Sequence, residues 1–180
     1  MATSAREAIV RSLSHPPGRP SRGGGPGATV YRGGHAFQAR PETIRFVRER
    51  QRGRLGLAAV EFDHTHGGRW HYVCGAVLRD GGGWEAKGGA GGSGREPDRV
   101  EPWANFGGWG WPRYACIGGR VHGPVREVRL VDAQGTVADE DTVDGGVALL
   151  MSDEPVEQPY VIELYGDDGR LRRSQRWPPV

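Results

Sequence analysis

From Val125 onward the chain repeats one unit. Five to eight residues rich in β-branched, aliphatic and aromatic side chains are followed by a turn built on Asp and Gly. Val125–Val131, Thr136–Val143, Val147–Met151, Tyr160–Tyr165 and Leu171–Trp177 are the runs. Asp132-Ala133-Gln134-Gly135, Asp144-Gly145-Gly146, Asp153–Pro155 and Asp167-Asp168-Gly169 separate them. Asp and Gly supply side-chain-capped and left-handed turn positions, so the punctuation predicts hairpins. Short strands at this spacing, without intervening helical periodicity, predict an all-β fold: an antiparallel β-sandwich or small barrel of about seven to nine strands. One echo supports it. Val128-Arg129-Leu130-Val131 with Gly135 and Val137 matches Ile162-Glu163-Leu164-Tyr165 with Gly169 and Leu171 at a constant offset, as expected of two equivalent hairpins.

Upstream, Thr43–Arg50 predicts a strand, and Leu55–His66 and Arg69–Arg79 predict a hairpin around Gly67-Gly68. A two-residue turn there sets His66 opposite Arg69, His64 opposite His71, Phe62 opposite Val73 and Glu61 opposite Cys74. In that register His64 and His71 form a cross-strand pair with Cβ atoms about 5 Å apart, and His66 follows on the same face.

The 31 glycines and 13 prolines do not contradict a folded chain, because they are unevenly placed. More than half of the glycines fall in residues 1–34 and 81–111. Residues 42–80 and 112–177 hold 26 Leu, Ile, Val and Phe in 105 positions, enough for a small core. The expected organisation is a disordered basic arm over 1–41 and one β domain over 42–177, with a long Gly/aromatic loop at 81–111. Within the arm, Ser4-Ala5-Arg6-Glu7 has capping-box spacing and predicts a short helix to about Ser14, ended by Pro16-Pro17.

Charge is polarised along the chain. Residues 1–60 carry eleven Arg against three Glu, whereas residues 123–180 carry six Arg against twelve acids, although the whole chain is only +2. The two ends could pair, within one molecule or between two, and the sequence does not say which. Charged residues in the first twenty positions and the lack of an apolar run there argue against a secretory signal, and no stretch has membrane-spanning length. Cys74 and Cys116 are too few for a disulfide framework, so a cytoplasmic location with free thiols is the expectation.

Three clusters carry candidate chemistry. Trp103, Phe106, Trp109, Trp111 and Tyr114, interleaved with glycine, predict a stacking surface for a ligand or protein partner. His64, His66 and His71 are candidate ligands for zinc or another divalent metal. Arg22 and Arg32, each in an Arg-Gly-Gly tripeptide of the arm, suit weak single-stranded nucleic-acid contact. No nucleophile elbow or phosphate loop is present. The expected function is therefore a non-catalytic interaction or ligand-binding module without a resident cofactor, its surface on the aromatic stretch. The alternatives are a metal-dependent β-barrel enzyme using the three histidines, and nucleic-acid binding by the arm.

Overall fold

The computed structural model describes residues 2–15, 19–21, 30–32, 38–93, 100–110, 113–155 and 159–177. Helix α1, Ala5–Ser14, starts where the capping box predicts: the Ser4 hydroxyl accepts from the Glu7 amide at 3.1 Å. The Glu7 carboxylate in turn accepts from the Thr3 amide at 2.6 Å. Ile9 and Leu13 are fully buried, so the helix docks, and its packing supplies what ten residues of propensity alone would not. The start of the expected arm thus belongs to the folded body. Two short strands follow, β1 Arg19–Ser21 and β2 Val30–Arg32, paired antiparallel. Segments 16–18, 22–29 and 33–37 of that arm lie outside the described residues.

A 3₁₀ turn at Pro41–Thr43 leads into eleven further strands. A first sheet orders as β3 (Arg45–Arg52), β4 (Leu55–Asp63), β5 (Arg69–Leu78) and β6 (Trp84–Ser93). The middle sheet comprises β7 (Trp103–Trp109), β8 (Ala115–His122) and β11 (Val147–Ser152), in the order β11-β8-β7. The third sheet orders as β10-β9-β12-β13, from β9 (Glu127–Val131), β10 (Val137–Thr142), β12 (Tyr160–Tyr165) and β13 (Leu171–Trp177). Among the described residues all strand pairings are antiparallel, and the fold is all-β apart from the one short α-helix.

The layers follow from the core clusters. Ile9 and Leu13 of α1 pack on Ala58, Val60, Phe62, Tyr72 and Cys74 of the first sheet. The opposite face of that sheet, Leu57, Ala59 and Val73, meets Cys116, Val147, Leu149 and Met151 of the middle sheet. The other face of the middle sheet, including Ile117, Ala148 and Leu150, packs on Leu130, Tyr160, Ile162 and Leu164. A layer covered on both sides must be apolar throughout, and β11 is buried at all six positions. The two echoed hairpins, β9–β10 and β12–β13, lie side by side in the third sheet, with Leu130 opposite Ile162.

Residues 81–111 depart from the expected loop. They carry β6 and β7, which raises the strand number above the expected seven to nine and makes three stacked sheets of a two-sheet sandwich. Gly82 and Gly83 make the turn before β6, whereas glycines within β6 and β7 mark close approach. A Cβ on Gly107 would collide with Ala90 of β6, and one on Gly89 with the Tyr72 ring.

The middle sheet ends at β11, whose open edge is closed by side chains. Arg48 donates to the Val147 carbonyl at 2.8 Å, Arg50 to Leu149 at 2.6 Å and Arg52 to Met151 at 3.0 Å. Asp141 accepts from the Leu149 amide and Asp139 from the Met151 amide, both at 2.7 Å. The same carboxylates hold the arginines: Arg48 on Asp141 at 2.6 Å, and Arg50 and Arg52 on Asp139 at 2.6 and 2.9 Å. Strand periodicity aligns residues 48, 50 and 52 of β3 and residues 139 and 141 of β10 with every second residue of β11. Three sheets are thereby tied together, and both Asp side chains are buried. Replacing Asp139 by Ala leaves two arginines and an amide without their partner, and is expected to cost about 3–5 kcal/mol in urea unfolding. Asp153→Ala, which removes a half-exposed contact with Arg52, is expected to change stability by less than about 0.5 kcal/mol.

Candidate functional site

The β4–β5 hairpin turns at residues 64–68, five residues rather than two. Gly67 and Gly68 do take the left-handed backbone, with φ of +97° and +90°. The longer turn has a tertiary cause. Thr65 donates its amide to the Gln38 carbonyl, Arg40 donates to the Asp63 carbonyl, and Ala39 bridges His64. The preceding segment thus claims backbone groups that a tight hairpin would have used. Asp63 then pairs with Arg69, Phe62 with Trp70 and Glu61 with His71. This is a shift of three residues from the expected register, and an odd shift exchanges faces.

The shift separates the three histidines. His64 and His66 stay on the turn with ring centroids 5.3 Å apart, and the His64 ring stacks on Trp70 at 5.7 Å, on the α1 side of the sheet. His71 points to the other side, toward the middle sheet, and lines a cavity there. The expected metal triad therefore does not assemble. Among the described residues no group of three or more His, Cys, Asp or Glu is placed to hold a metal ion.

The expected aromatic surface is also divided. Trp103, Phe106 and Trp109 lie on β7. Phe106 is buried between the middle and third sheets, and the Arg173 guanidinium lies over the Trp103 ring at 4.3 Å from its centroid. Trp109 packs between the first and middle sheets, its ring covering Gly75 and Gly88, and Tyr114 packs beside that core. Trp111 and Arg22 lie outside the described residues. Arg32 is in β2.

What converges instead is Glu61, His71 and Arg120, at one wall of a cavity of ≈ 390 Å³ between the first and middle sheets. Glu61 and His71 are cross-strand partners, and Arg120 comes from β8 across the cavity. Glu61 Oε1 lies 3.1 Å from His71 Nδ1 and 3.3 Å from Arg120 Nη2. Its Oε2 is 3.3 Å from Arg69, which also holds Asp63 at 3.1 Å. Burial pushes the Glu61 carboxyl up, but the Arg69 hydrogen bond and the charges of His71, Arg69 and Arg120 outweigh it, leaving the group below the usual carboxylate range. The Arg120 Nη2 group also faces both ring nitrogens of His71. Much of the remaining lining is small or apolar: Val47, Ala59, Val73 and Val147, with Gly92, Gly107 and Gly118.

Neither cysteine joins the site. Cys74 is buried under α1 and Cys116 between the first and middle sheets, both as free thiols. Burial raises both thiols, that of Cys116 to about 12. Among the described residues no helix is long and apolar enough to cross a membrane.

The two-residue turn expected from the sequence sets Glu61 opposite Cys74, and nothing in that pattern brings Arg120 to the hairpin. The available signal was an Arg within Ile117-Gly118-Gly119-Arg120-Val121, a charge in an otherwise apolar strand. No protein family matches the chain, and no curated protein and no solved structure is significantly similar to it.

Three outcomes check these placements. Gly75→Ala drives a Cβ into the Trp109 ring and is expected to lose about 1–3 kcal/mol, whereas Gly81→Ala, with open space around it, is expected to be neutral within about 0.5 kcal/mol; chemical denaturation compares them. The lowered Glu61 carboxyl stabilises the fold above its unfolded pKa, and that contribution is lost as pH falls through the folded value. Wild type is thus expected to exceed Glu61→Gln in urea midpoint near pH 7, with the gap narrowing below about pH 4. Both thiols are expected to resist a thiol-specific chromogenic reagent in native protein at pH 8 and to react within mixing time in denaturant.

Proposed function

We propose that this chain is a non-catalytic small-ligand-binding protein, with its ligand held in the cavity between the first and middle sheets rather than on the aromatic stretch. The observation that carries this reading is the convergence of Glu61, His71 and Arg120 on one wall of a cavity whose other walls are largely small and apolar. Ligand sites are typically concave spaces of about 300–1,000 Å³ with a few convergent polar groups in an apolar lining, and this cavity has that size and composition. The polar groups are fixed before any ligand arrives, since each is held by at least one of the others and Glu61 also by Arg69. Such preorganisation lowers the ordering cost of binding. The aromatics supply rigidity: Trp109 fills the space over Gly75 and Gly88 that would otherwise separate the two sheets.

Gly92 offers a direct test. It pairs with His71 across β5 and β6, lines the cavity, and a Cβ added there meets nothing within 4 Å. Gly92→Leu therefore places bulk in the cavity without disturbing its neighbours. In a thermal-shift screen of small metabolites, a true ligand at a hundred times its Kd is expected to raise the wild-type midpoint by roughly 5–10 °C and to leave Gly92→Leu unmoved. Equal shifts in both proteins would overturn the reading.

A further inference from the structure

We infer that His71 is a proton-operated latch on Arg120: the neutral imidazole holds the guanidinium at the cavity wall through Nδ1, and the imidazolium passes Nδ1 to Glu61 and releases Arg120. The latch needs only the wall and not a ligand, so it stands or falls apart from the proposed function. The geometry at Nδ1 carries it. Arg120 Nη2 lies 2.5 Å from that nitrogen, and Glu61 Oε1 lies 3.1 Å from it. The two neighbours make opposite demands. A guanidinium can only donate and so requires a bare Nδ1, whereas an ionised carboxylate can only accept and so requires a proton there. One ring nitrogen carries either a lone pair or a proton in its plane, and serves one of the two at a time. Arg120 is the nearer, which puts the proton of the neutral ring on Nε2. Glu61 keeps a separate hold through Oε2, 3.3 Å from Arg69.

Proton uptake reverses the allotment. An imidazolium has no lone pair to offer, so Nδ1 turns from acceptor to donor, with Glu61 Oε1 already in reach. Arg120 and the ring are then like charges in contact, and the guanidinium moves off the ring into the cavity it borders. The surrounding elements leave the exchange to these three groups. Across β6, His71 faces Gly92; Arg45 of β3 stands beyond Glu61 in the same row; and Asn105 of β7, opposite Arg120, is uncharged. His64 and His66 lie on the other side of the sheet, and Asp63 is held by Arg69. Imidazole is the side chain that ordinarily changes charge between about pH 5 and 8, a range in which the arginines and the lowered Glu61 carboxyl keep theirs. The coupling is reciprocal: whatever in the cavity draws Arg120 from the ring favours proton uptake by His71, and proton uptake favours it in return.

The test uses the full chain, isotope-labelled, and long-range proton–nitrogen correlation spectra, which report the nitrogens of each imidazole that carry a proton. His71→Gln identifies the His71 signals by their loss. At about pH 8 the wild-type ring is expected to carry its proton on Nε2, with Nδ1 bare. Arg120→Met removes the donor and leaves Glu61 as the partner of Nδ1, so the proton is expected to move to Nδ1. A proton on Nδ1 in wild type at that pH, or an unchanged tautomer in Arg120→Met, overturns the latch. Wild type decides the release even if the variant fails to fold. A nuclear Overhauser contact between the Arg120 guanidinium protons and the Cε1 proton of His71 is expected at about pH 8, and is expected to be lost once acid has protonated both ring nitrogens. Persistence of that contact on the doubly protonated ring, or a ring that takes no second proton before the protein unfolds, overturns it.

Discussion

The structure depends on how the edge of β11 is closed. A strand of sequence Val-Ala-Leu-Leu-Met-Ser, apolar on both faces and open along one edge, is a template for pairing with another chain. Here alternate residues of two neighbouring sheets take the place of the missing strand. Arginines 48, 50 and 52 donate to its carbonyls, and aspartates 139 and 141 accept from its amides. Each carboxylate also neutralises the arginine beside it, so the buried charges meet the condition under which burial is tolerable: paired and fully hydrogen-bonded. The opposite edge of the same sheet uses a neutral version of the device. Gln175 of β13 accepts from the Ala104 amide at 2.7 Å and donates to the Ala104 carbonyl at 3.1 Å.

This closure explains the polarised charge of the sequence. The basic early region and the acidic late region meet within one molecule, through β3 and β10, and what they enclose is the apolar strand between them. It also fixes the distance between the first and middle sheets, and therefore the cavity. Trp109 fills part of that interlayer space, seated on glycines that leave it room, and the remainder stays open beside Glu61, His71 and Arg120. Within 81–111, Gly88, Gly89 and Gly107 are extended-strand residues seated against Trp109, Tyr72 and Ala90. The composition of the stretch reads as loop because a residue without a side chain gives no hydrophobic period, even when the backbone is extended.

The hairpin shows how far local pattern reaches. Both strands, the glycines of the turn and the face alternation are visible in residues 55–78, yet the register differs by three residues. The difference comes from Gln38–Arg40, which bonds Asp63 and Thr65 from outside the hairpin. With it, His71 exchanges His64 for Glu61 as its cross-strand partner. A cluster of histidines becomes an imidazole set between a carboxylate and a guanidinium.

Legible in the residues alone were the all-β class, the five strands after residue 123 to within a residue or two, the short helix with its Ser4 cap, and the opposed charges of the two ends. These are properties of neighbouring residues: turn chemistry, side-chain period and capping act over fewer than about ten positions. Tertiary structure alone decided that the sheets stack in three layers, that Arg48–Arg52 face Asp139 and Asp141, and that Glu61, His71 and Arg120 share one cavity. Each of these joins segments far apart in the chain, Arg120 standing 49 residues from His71, and which distant strands meet is set by the packing of whole faces and the satisfaction of buried edges. No local pattern carries that information.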